Sequence, residues 1–206
     1  MGSYYFLIAQ LPYLIYGQPA PMLPEAFKSL CDYQLEPADR VLLDYCTLDG
    51  GFVPKEGIPS YGESPEPTPS DFINGWRSWE RALRLHLARL RFQRLKPEGG
   101  TAPAASPEGM AQAALAAKTA LAIESPLEAE LFLDKSRWDA IETLQGIDYF
   151  TRDTIFAYLL KLLLMERRSF FKAEEGFAEY KGLYASIMEA AGGLASVTSI
   201  ESGEPK

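Results

Sequence analysis

From Thr154 to Met165 the chain reads TIFAYLLKLLLM, with Lys161 as its one charge. Ile155, Phe156, Tyr158, Leu159, Leu160, Leu162, Leu163, Leu164 and Met165 would cover nearly every side of a helix. A helix that is apolar all round must be buried all round. This stretch is too short to cross a bilayer, which takes about 20 apolar residues. Other helices must therefore enclose it. The spacing predicts a helix from Arg152 to about Phe171, roughly 30 Å long, at the centre of a helical bundle.

The rest of the chain supplies candidates for that enclosure. Pro24 suits the first turn of a helix over Glu25–Asp32, and Pro37 does the same for Ala38–Leu48. Asp49-Gly50-Gly51 ends the second of these. Residues 50–69 are rich in Pro and Gly and read as a loop. Ser70 is an N-cap for a long helix from Asp71 to about Lys96. Ser106-Pro107-Glu108 and Ser125-Pro126-Leu127-Glu128 each place a capping Ser before a Pro, the second as a capping box. Gly146 stops the helix begun at Pro126, and a last helix is predicted over Ala173–Ala191. Its Phe177, Tyr180, Tyr184, Ile187, Met188 and Ala191 form one apolar seam. The class is all-α. Residues 97–107, PEGGTAPAASP, read as a linker between an N-terminal helical region, 1–96, and a C-terminal bundle, 108–193. Residues 194–206 read as a polar tail.

The stretch YYFLIAQLPYLIYG, residues 4–17, holds no charge. No Lys or Arg precedes it and Pro12 interrupts it, so a secretory leader is not expected. It reads as a short helix ended before Pro12 or as an extended strand, since so short an apolar run fits either. The two cysteines, Cys31 and Cys46, make no disulfide framework and read as buried thiols in a reducing compartment.

The helix from Asp71 has two faces of interest. Phe72, Trp76, Trp79, Leu83, Leu87 and Leu90 step by three and four and predict a core seam. Arg77, Arg81, Arg84 and Arg91 share another face. Residues 77–96 hold seven bases and one acid, Glu80, a local +6 in a chain of net charge −8. Three readings fit the stripe: a solvated or internally paired face, a docking face for an acidic protein, or contact with RNA or a membrane surface. The overall acidity disfavours nucleic acid as a partner.

Catalytic signatures are lacking. His86 is the sole histidine, so no Ser-His-Asp or Cys-His pair can be assigned, nor a multi-histidine metal site. No GxGxxG, GxxxxGK[ST] or HExxH occurs. Glu124, Glu128, Glu130 and Asp134 cluster near one helix, and Glu174, Glu175 and Glu179 on another. Acids in a first helical turn are the ordinary complement to the helix dipole. The expectation is a protein without catalytic activity, cofactor or metal.

The opening residues, Met1-Gly2 followed by Tyr4-Tyr5-Phe6-Leu7-Ile8-Ala9 and Leu11-Pro12, resemble those of a bacterial family of unknown function encoded beside V-type ATPase genes. The second half is similar to the C subunit of V/A-type ATPases, the relative of the eukaryotic d subunit. That similarity rests on Glu130, Leu133-Asp134-Lys135 and Trp138, then Tyr158-Leu159, Lys161 and Glu166-Arg167-Arg168. Members of that family are much longer and built from three similar helical units, whereas no threefold repeat is seen here. The resemblance implies an all-helical, non-catalytic subunit that couples the central stalk to the membrane proteolipid ring. It implies a cytoplasmic place, peripheral to the inner membrane through the ATPase. Glu166, Arg167 and Arg168 join Arg77, Arg81, Arg84 and Arg91 as candidate partner-binding residues. The alternative function is a stand-alone helical adaptor that binds an acidic partner.

Overall fold

A computed structural model describes residues 4–49, 66–95, 110–171, 183, 184, 186 and 187. Seven helices run through it: α1 Tyr5–Gln10, α2 Pro24–Gln34, α3 Pro37–Leu43, α4 Asp71–Leu95, α5 Ala111–Ala122, α6 Pro126–Gln145 and α7 Arg152–Ser169. The described residues hold no strand, and the fold class is all-α. None of these helices is long and apolar enough to cross a membrane.

Local chemistry sets most of the boundaries. Pro24, Pro37 and Pro126 stand in the first turns of α2, α3 and α6. The Ser125 hydroxyl accepts from the Glu128 amide at 3.3 Å, and the Ser70 hydroxyl accepts from the Ile73 amide at 3.3 Å. Each hydroxyl satisfies one of the orphan donors of a helix start. Gly146 ends α6 at φ 69°, ψ −152°, a region that essentially only glycine enters.

The first element is a helix. Tyr4, Leu7, Ile8 and Leu11 turn inward at helical spacing, while Tyr5, Phe6, Ala9 and Gln10 face out. Leu11 is extended, as a residue before proline prefers, and the chain leaves the helix there. Helix α3 is shorter than its sequence suggests and ends at Leu43 instead of Leu48. The carbonyls of Thr47 and Leu48 accept instead from α4, from Trp76 Nε1 at 2.8 Å and Arg84 Nη2 at 3.0 Å.

Residues 1–168 form one compact unit and 169–206 a second. The division expected at 97–107 does not separate two cores. Leu7, Phe27, Trp76 and Leu83 belong to the same buried cluster as Ala117, Ile141, Phe156 and Leu160. Residues 97–107, the Ser106-Pro107-Glu108 start and the tail 194–206 lie outside the described residues. So does most of the expected last helix, of which 183, 184, 186 and 187 are helical.

Within the first unit α4 packs on α5 and α6, and α5 on α6. Helix α5 makes this contact with small side chains, Ala113, Ala116, Ala117 and Ala120, which allow close approach. Helix α7 is buried on nearly all sides, with Ile155, Phe156, Ala157, Leu159, Leu160 and Leu162 fully enclosed. Phe156 meets Phe72 of α4 at 6.5 Å between ring centroids, and Tyr158 meets Phe27 of α2 at 4.9 Å.

Candidate interaction surface

The N-terminal stretch is tied down by polar atoms as well as by burial. The Tyr4 amide donates to the Phe150 carbonyl at 3.0 Å. The Tyr158 hydroxyl donates to the Pro12 carbonyl at 2.9 Å, and the Tyr16 hydroxyl to the Leu131 carbonyl at 2.9 Å. The Tyr4 hydroxyl donates to Asp39, which also accepts from Arg152 at 3.1 Å. Burial, then the hydrogen bond to Asp39, pushes the Tyr4 phenol up to about 12.

Anchored this way, the stretch keeps an apolar outer side. Tyr5, Phe6, Tyr13 and Ile15 are exposed, and so are Ile147, Tyr149 and Phe150 in the turn after α6. Tyr5 and Phe150 stand ring to ring at 4.5 Å, which joins the two sets. Beside them opens a groove of about 480 Å³. Its walls are Ile8, Leu11, Pro12, Tyr13 and Leu14, then Glu142, Gln145, Gly146 and Tyr149, then Thr154, Tyr158 and Lys161. Glu142 Oε1 accepts from Trp138 Nε1 at 2.8 Å and from Lys161 at 3.2 Å. The lysine in turn lies 5.1 Å from the Trp138 ring centroid. The groove is thus walled in large part by aromatic and aliphatic side chains, with Gln145, Thr154 and the Glu142–Lys161 ion pair as its polar part.

The arginine stripe of α4 is not one exposed face. Arg77 and Arg81 are buried. Arg77 donates to the Glu66 carbonyl at 3.3 Å, and its guanidinium lies 5.0 Å from the Tyr45 ring centroid. Arg84 is half-buried; it donates to Glu80 at 2.8 Å and to the Leu48 carbonyl. Arg91 is exposed. The correction has a simple cause. The side of α4 opposite its aromatic seam lies in part against the segments before α4 and after α3, so its first arginines serve the interior.

Glu166, Arg167 and Arg168 are half-buried at the end of α7. Arg167 bonds Asp134 at 3.0 Å and Glu130 at 2.7 Å. The Arg168 guanidinium lies 5.1 Å from the Tyr16 ring centroid. These contacts extend a buried ionic network that sequence reasoning does not find. Arg137 holds both carboxylate oxygens of Glu80 and, through Nη1, Asp134 at 2.9 Å. Burial raises the Asp134 carboxyl above its ordinary range, although Arg167 and Arg137 oppose the shift. Two signals are present in the sequence: Glu80 is the lone acid of the basic stretch 77–96, and Asp134 and Arg137 stand three apart on α6.

Cys31 and Cys46 are buried free thiols. Burial pushes Cys31 up to about 12 and raises Cys46 strongly as well, so neither is a ready thiolate. Burial, then Arg89, lowers the His86 pKa. Among the described residues no three of His, Cys, Asp and Glu are grouped to hold a metal ion. Glu174, Glu175 and Glu179 lie outside those residues. No protein-family model, curated protein or solved structure matches the chain.

Proposed function

We propose that the protein is a non-catalytic structural or assembly subunit of a bacterial V-type ATPase, acting between the central stalk and the membrane proteolipid ring. The observation that carries this reading is the outer side of the first element. Tyr5, Phe6, Tyr13 and Ile15 remain exposed on a segment whose other side is locked into the core. A surplus apolar surface of this kind beside an open groove fits a partner subunit. Sequence supports the choice of partner, through the opening YYFLIAQLP and the two patterns of the second half. Those two patterns meet in space. Asp134 and Glu130 of the first hold Arg167 of the second, and Lys161 of the second covers Trp138 of the first. Under this reading the protein is peripheral to the membrane through the ATPase.

The test is co-purification of the tagged full-length chain with V-type ATPase subunits from the cell that encodes it. Stoichiometric recovery of stalk and ring proteins is expected, falling at least tenfold for Phe6→Asp and Tyr13→Asp with the thermal midpoint unchanged. Recovery of no ATPase component, or recovery indifferent to both substitutions, would overturn the reading.

A further inference from the structure

The far end of α4 differs from its beginning. Arg77, Arg84 and Arg91 recur every seventh residue and so lie near one line along the helix. Exposure climbs along that line. Arg77 is 8% exposed, the Arg84 side chain 35%, and Arg91 stands in solvent. This side of the helix thus passes from the interior to solvent over the described residues. On the same side as Arg91, one turn on, come Arg94 and Leu95, and Leu95 is 78% exposed. Arg89 is also exposed, but it points to the opposite side of the helix.

This end gathers exposed guanidinium groups. The chain carries 28 acids against 20 bases. Arg84, Arg137, Arg152 and Arg167 each find a carboxylate of the chain itself. Among the described residues, the exposed arginines of this end, Arg89, Arg91 and Arg94, find none and make no hydrogen bond, and of these Arg91 and Arg94 share a side with the bare Leu95. A cation near a helix C-terminus complements the dipole, which accounts for Arg94. It does not account for a second guanidinium a turn earlier, nor for a bare leucine beside the pair. Guanidinium forks grip carboxylates and phosphates alike with two bonds, so the neighbours of the pair decide between them. The leucine adds an apolar contact that a nucleic-acid backbone does not need. A body of net charge −8 repels long polyanions and anionic bilayers from the rest of the surface.

We propose that the Arg91, Arg94 and Leu95 face at the end of α4 docks an acidic protein segment with an aliphatic side chain among its carboxylates. The inference is independent of the ATPase reading and of the aromatic groove, and would stand if either failed.

The test uses the full-length protein and fluorescent 12-residue peptides, each with one central leucine and zero, two, four or six glutamates. At 50 mM salt the affinity should rise at least tenfold from the neutral to the most acidic peptide, and fall as salt is added. Arg91→Glu with Arg94→Glu should abolish that rise, and Leu95→Asp should weaken every peptide. Arg89→Glu should change affinity less than twofold. Helical content by circular dichroism should be the same in all variants. Three outcomes would overturn the proposal: affinity indifferent to glutamate number, an equal loss from Arg89→Glu, or tighter binding of duplex DNA or phosphatidylserine vesicles that the double substitution removes.

Discussion

Arg137 of α6 reaches across to Glu80 of α4 with two parallel bonds, Nε to Oε2 at 3.0 Å and Nη2 to Oε1 at 3.1 Å. Glu80 is fully buried and Arg137 nearly so. Removing one partner of such a pair strands the other, which costs about 3–5 kcal/mol. Arg137→Met is expected to cost that much in urea unfolding. Glu80→Met with Arg137→Met should recover part of the loss. Equal losses for the single and double variants would show that the pairing is not what Arg137 supplies.

The arginines of α4 should divide by position. Arg77→Glu places an acid where a buried guanidinium touches Tyr45 and the Glu66 carbonyl. It is expected to cost more than about 2 kcal/mol. Arg91→Glu lies in solvent and should change stability by less than about 0.5 kcal/mol. The urea midpoints of the two variants decide it.

Alkaline pH should expose the Tyr4 bond. Its phenol is raised in the folded state from 10.0 to about 12. A raised group stabilises fully below its unfolded value and loses that contribution as pH climbs through the folded one. The native protein should therefore lose about 2 kcal/mol from this group between pH 10 and pH 12. Tyr4→Phe should be less stable at pH 7, through the lost bond to Asp39, and the gap should narrow over that window. A gap that is constant from pH 9 to pH 12 would refute it.

A backbone test comes from Gly146. A Cβ there would meet nothing within 4 Å, so packing gives no reason for glycine. The positive φ of 69° does. Gly146→Ala should cost about 1–3 kcal/mol by strain alone, while Gly17→Ala, at φ 88° in an exposed turn, should cost about 1–2 kcal/mol. Thermal melts of the two variants would show whether either is neutral.

Core truncation should be costly along α7. Leu159→Ala and Leu160→Ala each remove a fully enclosed side chain and are expected to cost about 2–5 kcal/mol. A loss under about 0.5 kcal/mol at both sites would mean that α7 is not the centre of the fold.

Much of the fold was legible because it is written locally. Pro24, Pro37, Ser70, Pro126 and Gly146 mark helix ends through their own backbone chemistry, and the apolar run of α7 can only be an interior helix. The α4 seam was legible for the same reason, since spacing alone reports one buried side. Periodicity does not report what a polar side meets. Arg77 looks like a solvent residue until the segments before α4 and after α3 fold over it. Glu80 and Arg137 lie 57 residues apart, so no local pattern pairs them. The end of α3 was hidden likewise, because the carbonyls that follow it bond to side chains of α4. At the candidate surface, the sequence announced the apolar first element. Which of its side chains would stay outside depended on Tyr158 and Phe150, over a hundred residues later.

That delay matters during synthesis. Tyr16 and Pro12 find their partners at Leu131 and Tyr158, so the N-terminal stretch cannot settle until the ribosome has made nearly the whole first unit. At about 5–20 residues per second, the nascent chain carries YYFLIAQLPYLIYG unshielded for roughly 7–28 s. Over that interval it is a ready client for a ribosome-associated chaperone and a seed for co-translational aggregation. Slowing translation ahead of α7 would lengthen the exposure without altering any contact of the finished protein.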